Sequence, residues 1–370
     1  MTETAVPPAP DLLVEIRNSI AYLTFNRPHA LNALSFDMLV EMRKLFEQSA
    51  SDPNIVAVIS RGSGEKAYCA GGDVRGLYNS VTGKGPRVHE QFIITEYALN
   101  YQLHQFLKRT GKPYIALMNG IVMGGGMGVS QGASIRIVGD RTKMAMPETK
   151  IGLFPDVGGT YFLSRATDAT GLYLGMTSNV FSGADAMFAK LADAYMTRDD
   201  ELAFLAALDD VQWSDNPLAD AVACVKRFSR MPPQSEIAEH NATISRCFAN
   251  KASAAEVVAA LRHDHDAWAH RIAHDLSLRS PLMVEVTKQQ IERGHKMNLA
   301  DCLRLELNMM FTAFEQPDVV EGIRALVIDK DNQPRWNPPS LAEVELAQVE
   351  RFFAPRWSPE AHPLADLGTS

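Results

Sequence analysis

Cysteine is scarce in this chain: Cys69, Cys224, Cys247 and Cys302 are the only four in 370 residues, and no two form a Cys-x-x-Cys pair. That spacing gives no basis for a disulfide framework or a zinc knuckle, so reduced, buried thiols are the expectation. Basic residues are also short. Lys and Arg total 36 against 44 Asp and Glu, a formal net charge of -8, which argues against a general binder of nucleic acid or membrane surfaces. No window approaches ~18 uninterrupted apolar residues, so no membrane span is expected. The opening MTETAVPPAP has neither an apolar signal core nor an Arg-rich amphipathic pattern, and a cytoplasmic location is expected from it.

What the chain does contain is ordinary globular material, 46% hydrophobic and 22% charged, enough for a sizeable core. Residues 1–10 are Pro/Ala-rich and read as a disordered tail. Strand-like runs follow at Leu12–Ile16 and Ile20–Phe25, the second broken by Asn26-Arg27-Pro28. Ser35 is placed to cap a helix in which Met38, Leu39, Met42, Leu45 and Phe46 recur at helical spacing. Further strands are expected at Ile55–Ile59, Tyr114–Met118 and Ile135–Val138, with a long helix over about 88–108. This alternation predicts an α/β core over 11–200. Strand signals fade beyond Asp199, so 201–353 reads as a helical C-terminal region, with segments around 217–229, 251–278, 284–293 and 299–315. The stretch 354–370 reads as a loose tail.

Three clusters could carry chemistry. Ala70-Gly71-Gly72-Asp73 ends a strand with two glycines, which permits a plain turn or a close approach of ligand to main-chain N–H groups. Gly124-Gly125-Gly126 precedes an apolar helix and suits an oxyanion or phosphate at the helix entrance, or simply close helix packing. A dinucleotide fingerprint fits it poorly, since the glycines are compressed relative to G-x-G-x-x-G. Pro147-Glu148 and Pro155-Asp156 place two carboxylates in segments short of other charge, where a raised pKa would suit a base, a nucleophile or an acid. Asp156 reads equally as a helix cap. Cys69 has no basic partner nearby in sequence, and the run His263, His265, His270 and His274 lacks the H-E-x-x-H pattern and reads as a solvated helix face. Glu96, inside the long helix, reads by itself as a surface residue.

In order and spacing, Asn26-Arg27-Pro28, Leu31-Asn32-Ala33-Leu34, Ala70–Asp73, Asn119-Gly120, Gly124–Gly126, Pro147-Glu148 and Gly152–Gly159 resemble the crotonase (enoyl-CoA hydratase/isomerase) superfamily over about residues 12–200. The resemblance implies a crotonase-like spiral of ββα units binding an acyl-CoA. It also implies an oxyanion hole made by the N–H groups of Gly72 and Gly125. Hydratases of the superfamily carry one glutamate just after the triple glycine and a second in the later Pro-Glu. Here the first position is Gly128, and only Glu148 remains. MPETKIGLFPDVGG, Glu96-Tyr97 with Leu99-Asn100, and Asp329-Lys330-Asp331 with Pro334–Pro338 are similar to the 3-hydroxyisobutyryl-CoA hydrolase family, extending the match to about 12–353. One departure is a slightly longer stretch between Asn100 and Pro113.

What the resemblance implies is hydrolysis of a short branched 3-hydroxyacyl-CoA thioester, 3-hydroxyisobutyryl-CoA first, as in valine catabolism. Glu148 would be nucleophile or base, and Asp156 would position water or pass a proton to the departing sulfur. Glu96 would contact the acyl hydroxyl, and Gly128 would leave room for the branched acyl group. Arg27 and Lys66 would meet CoA phosphates. No cofactor or metal is expected, coenzyme A being part of the substrate. An enoyl-CoA hydratase/isomerase and a non-catalytic acyl-CoA-binding protein are the alternatives. A homo-oligomer is open, because relatives in the superfamily are often trimers or hexamers.

Overall fold

In the computed structural model, which describes residues 9–368, the strands come in pairs that split between two sheets. In chain order they are β1 (Leu12–Arg17), β2 (Ile20–Phe25), β3 (Ala57–Gly62), β4 (Ala67–Cys69), β5 (Tyr114–Met118), β6 (Ile121–Met123), β7 (Ile135–Gly139), β8 (Lys143–Ala145), β9 (Phe181–Ser182) and β10 (Ala194–Met196). The larger sheet runs β1-β2-β3-β5-β7-β10 and the smaller β4-β6-β8-β9. The β1–β2 and β8–β9 pairs are antiparallel and the other pairs parallel. Each of β3, β5 and β7 lies in the larger sheet and hands the chain to a short partner in the smaller, which is the repeating strand–strand–helix turn expected from the sequence. Helices α1 (Phe36–Ser51), α2 (Val74–Val81), α3 (His89–Thr110) and α4 (Gly125–Gln131) fill the intervals.

Strand alternation divides the core. Ala21 and Leu23 of β2 face the main core, shared with Met38, Met42 and Phe46 of α1, whereas Ile20 and Tyr22 face a second one. There they meet Phe204, Cys224 and Val225 from the helices Arg198–Ala207 and Pro217–Phe228, and Leu208 from the 3-10 turn Leu208–Asp210. A sheet covered on both faces explains why β2 is buried along its whole length. Ser35 caps α1 as expected, its Oγ accepting from the Met38 N–H at 3.3 Å.

Several boundaries differ from the sequence reading. β3 begins at Ala57 and runs to Gly62, because Arg61 and Gly62, loop-like in sequence, pair with Thr24 and Phe25 of β2. The expected helix over 251–278 is two helices, Ala254–His263 and Ala267–Ser277, with the Asp266 carboxylate capping the second through the Trp268 N–H. Of the N-terminal tail expected to be disordered, residues 1–8 lie outside the described residues. The last stretch is not loose. Leu364 is buried, Trp357 packs edge-on against Phe311, and the Arg304 guanidinium donates to the carbonyls of Leu364, Ala365 and Leu367. No described helix is long and apolar enough to cross a membrane.

Candidate active site

Two glycine turns face each other across a small cavity. The first follows β4. Its Gly71 has φ +108 and its carbonyl accepts the Leu34 N–H at 2.8 Å, while the Asp73 N–H returns to the Leu34 carbonyl at 3.1 Å. This short bridge uses both neighbours of Gly72 and leaves the Gly72 N–H without a main-chain acceptor. The second turn opens α4. Gly124 has φ +49, a conformation that L side chains rarely adopt, and Gly125 is the first helical residue, where an N–H has no intrahelical partner. A Cβ built on Gly125 would lie 3.3 Å from the Gly72 nitrogen, so the two amides border one space. The third glycine serves packing instead: a Cβ on Gly126 would stand 2.1 Å from the Cys69 carbonyl oxygen.

The segment Asn26–Leu34 builds the support under the first turn. Asn32, fully buried, donates through Nδ2 to the carbonyls of Ser63 and Ala67 at 3.0 and 2.8 Å and accepts the Arg27 N–H at 3.0 Å. Arg27 is absorbed in the same scaffold. Its guanidinium donates to the Ala33 carbonyl at 2.8 Å and pairs with Asp11 at 3.4 Å and Asp73 at 4.0 Å. Lys66 is exposed at the far end of the β3–β4 loop. Neither residue lines the cavity.

The cavity measures about 230 Å³ and is lined by both glycine turns, Glu96 of α3, Pro147-Glu148, Asp156-Val157, and apolar side chains including Phe92, Leu153 and Met310. Three sequence-predicted carboxylates therefore converge. Glu96, a surface residue by its own sequence context, is 3% exposed, Glu148 is 5% and Asp156 is 7%. A Cβ on Gly125 would meet Glu96 Oε1 at 2.5 Å, and one on Gly124 would meet Glu148 Oε1 at 2.9 Å. A side chain at either position would therefore displace a carboxylate from the cavity. Glu96 Oε1 and Glu148 Oε2 have no hydrogen-bond partner in the protein. Asp156 does not cap a helix. Its Oδ2 accepts from the Tyr97 hydroxyl at 2.8 Å.

Burial raises all three carboxyls, and mutual repulsion adds to it for two of them. Glu148 and Glu96 are pushed well above the ordinary glutamate range, first by desolvation and then by the charge on Asp156. Desolvation brings Asp156 up to about 6, against the lowering effect of the Tyr97 hydroxyl. Near neutrality Asp156 is thus the member that gives up its proton most readily.

Gly128 is where the sequence reading needs correction. It does not line the cavity, and the room expected beside it is occupied: a Cβ there would lie 2.6 Å from Val157 Cβ and 3.1 Å from Asn100 Nδ2. Val157 has φ +51, a strained conformation for a β-branched residue, costing about 1–3 kcal/mol. Its neighbour Gly158 and the nearby Thr160 donate their N–H groups to the two oxygens of buried Glu306, each at 2.8 Å. Desolvation raises the Glu306 carboxyl to about 8. Tyr97, Val157 and Glu306 carried no role in the sequence reading. Glu306 did carry a signal, being a lone carboxylate in the apolar run LELNMMF.

Other candidates resolve simply. Cys69 is fully buried and its thiol is pushed up to about 12, so it is no nucleophile. Among the described residues no group of three or more His, Cys, Asp or Glu side chains is arranged to hold a metal ion.

The sequence profile described as enoyl-CoA hydratase/isomerase matches residues 20–353. The 3-hydroxyisobutyryl-CoA hydrolase 1 of Arabidopsis thaliana is 34% identical over 350 residues, covering 92% of this chain and 91% of the relative. A Xenopus laevis protein named 3-hydroxyisobutyryl-CoA hydrolase, mitochondrial, is 35% identical over 90% of this chain and 85% of its own length. Among solved structures, a carnitinyl-CoA dehydratase from Mycobacterium thermoresistibile superposes with a TM-score of 0.86 at 38% identity, covering 94% of this chain and 97% of that one.

Proposed function

The chain belongs to the enoyl-CoA hydratase/isomerase family, and from that premise we propose that it hydrolyses 3-hydroxyisobutyryl-CoA to 3-hydroxyisobutyrate and free CoA, a step of valine catabolism. The observation that carries the reading is the buried Glu148 carboxyl, with one unpartnered oxygen, in the same cavity as the Gly72 and Gly125 amides and without a glutamate at position 128.

The thioester carbonyl oxygen sits between the two amides. Addition to the carbonyl carbon builds negative charge on that oxygen, and each preorganised donor contributes ~3–4 kcal/mol. Glu148 attacks the carbon to give an anhydride that water opens, or it takes a proton from water as the water attacks. Either route adds water's oxygen to the acyl carbon, breaks the C–S bond and delivers a proton to sulfur. Glu148 is raised further than Asp156 and holds the pair's one proton at rest; passing that proton to Asp156 leaves Glu148 as the attacking or basic carboxylate and Asp156 as the acid for sulfur. The leaving thiol has a pKa of ~8.5, so weak protonation suffices. Glu96, kept neutral by burial, offers the acyl hydroxyl an acceptor and a donor. Phe92, Leu153 and Met310 surround the branched methyl. Arg27 and Lys66 are left as contacts for CoA phosphates outside the cavity. The reaction uses no separate cofactor, CoA being part of the substrate.

Purified protein should release thiol from 3-hydroxyisobutyryl-CoA, read with a thiol reagent. A panel including 3-hydroxypropionyl-CoA measures breadth. A second reading, dehydration or hydration at the acyl chain, is favoured by Glu96, which brings a second glutamate beside Gly125 although position 128 has lost one. Enoyl absorbance changing without thiol release would select it. A cytoplasmic location is part of the proposal and is tested by cell fractionation, since relatives such as the Xenopus laevis protein carry mitochondrial in their names. Assembly into a homo-oligomer is proposed on the apolar Val14 and Ile16, which edge strand β1 leaves 49% and 64% exposed. Light scattering measures it.

A further inference from the structure

Two side chains from the helical C-terminal region grip the Asp156 segment at both ends. Glu306, on the helix Leu299–Phe314, accepts the Gly158 and Thr160 N–H groups. Gln290, on the helix Pro281–Gly294, donates through Nε2 to the Pro155 carbonyl and to Thr160 Oγ1, both at 2.6 Å. Both gripping residues are fully buried. Between the grips lie the Asp156 carboxyl, aimed into the cavity, and Val157, with φ +51 and its side chain packed over Gly128.

We propose that Glu306, assisted by Gln290, is a positioning residue that locks the Pro155–Thr160 segment in the strained form that presents Asp156 to the reacting thioester. A β-branched residue in the left-handed region persists only where its surroundings over-determine it. Here the over-determination comes from outside the strand–strand–helix core, through four hydrogen bonds to one six-residue segment. Neither Glu306 nor Gln290 lines the cavity, so neither touches substrate. Their effect passes through the main chain. Releasing the grip would let Val157 relax toward negative φ and swing the adjoining Asp156 carboxyl off its Tyr97 partner. The C-terminal helices thereby become part of the catalytic apparatus and not only a cover for it.

The inference rests on the hydrolase reading for its activity readout, so a second readout is independent of activity. In the full chain, Glu306→Gln keeps shape and volume but turns an NH₂ donor toward one of the two amides it now accepts. The expected result is a kcat lower by at least ~10-fold, since a displacement near 1 Å costs ~10²-fold, with KM within ~3-fold of wild type. Hydrogen exchange at the Gly158 and Thr160 amides should be faster, while exchange in β5 and β7 is unchanged. Gln290→Met removes the other two hydrogen bonds with little change of volume, and the same split at smaller size is expected. It decides the matter if Glu306→Gln fails to fold. Wild-type kcat and wild-type exchange in a folded variant would overturn the proposal. A lower melting temperature with kcat intact would also overturn it, since that is what a purely structural contact gives. If the wild-type protein releases no CoA from any acyl thioester, the hydrolase reading falls, and the exchange data still decide whether the grip holds the segment.

Discussion

Adding one methyl group at Gly128 probes the packing behind Val157, which lines the cavity. The Cβ of a Gly128→Ala variant would lie 2.6 Å from Val157 Cβ and 2.9 Å from Val157 Cγ2, where carbon atoms rest at ~3.5–4.0 Å. Val157 must therefore retreat by roughly 1 Å. It cannot do so by a rotamer change alone, because its Cβ is itself one of the clashing atoms and its φ of +51 ties that Cβ to a strained main chain. Over-packing of this kind costs about 1–3 kcal/mol, seen as a melting temperature lower by a few degrees. Asp156 is bonded directly to Val157, so the same movement draws its carboxyl from the Tyr97 hydroxyl, and a misplacement near 1 Å is worth ~10²-fold in rate. Thermal melts with thiol-release kinetics on Gly128→Ala are the assay. Wild-type melting and wild-type kcat together would refute the packing of Val157 over Gly128 and the coupling drawn from it.

Asp156 is raised to about 6, so kcat/KM should fall as pH drops through that value, and Asp156→Asn should leave a residual rate without that limb. The folded-state value exceeds the ordinary 3.8; this carboxyl therefore costs nothing below pH ~4 and up to ~3 kcal/mol above pH ~6, and Asp156→Asn should raise the melting temperature at pH 8 but not at pH 4. Gly125→Ala puts a methyl 2.5 Å from Glu96 Oε1 and 3.3 Å from the Gly72 nitrogen, closing the space for the oxyanion, and should lower kcat by ~10²–10³-fold with the protein still folded. Glu96→Ala removes a contact to the acyl hydroxyl and should raise KM for hydroxyacyl thioesters by ~10-fold while leaving the unsubstituted acyl analogue unchanged.

Much of the strand framework was legible because its signals are local. Short runs rich in aliphatic and β-branched residues marked β2 and β5 to the residue, and Ser35 marked the start of α1. The glycines at 71, 72, 124 and 125 and the prolines before Glu148 and Asp156 were legible for the same reason. The rest was hidden by distance along the chain. Glu96 reads as an ordinary residue of a long helix until the fold sets it against Gly125, 29 positions away by number. Gly128 suggested empty space, because nothing local says that Val157 turns back to fill it. Nothing local to Arg27 indicated that Asp11 and the Ala33 carbonyl would also hold its guanidinium. The terminal stretch looked loose because its partner, Arg304, lies some 60 residues upstream of Leu364.

The central claim is that the carboxyl at position 148 acts on a carbonyl polarised by two main-chain amides. Turnover of 3-hydroxyisobutyryl-CoA by Glu148→Gln, followed by thiol release beside wild type and with folding checked by thermal melt, tests it most directly. Loss of at least ~100-fold in kcat with near-normal melting is the expected result. Unchanged turnover in the folded variant would contradict the account.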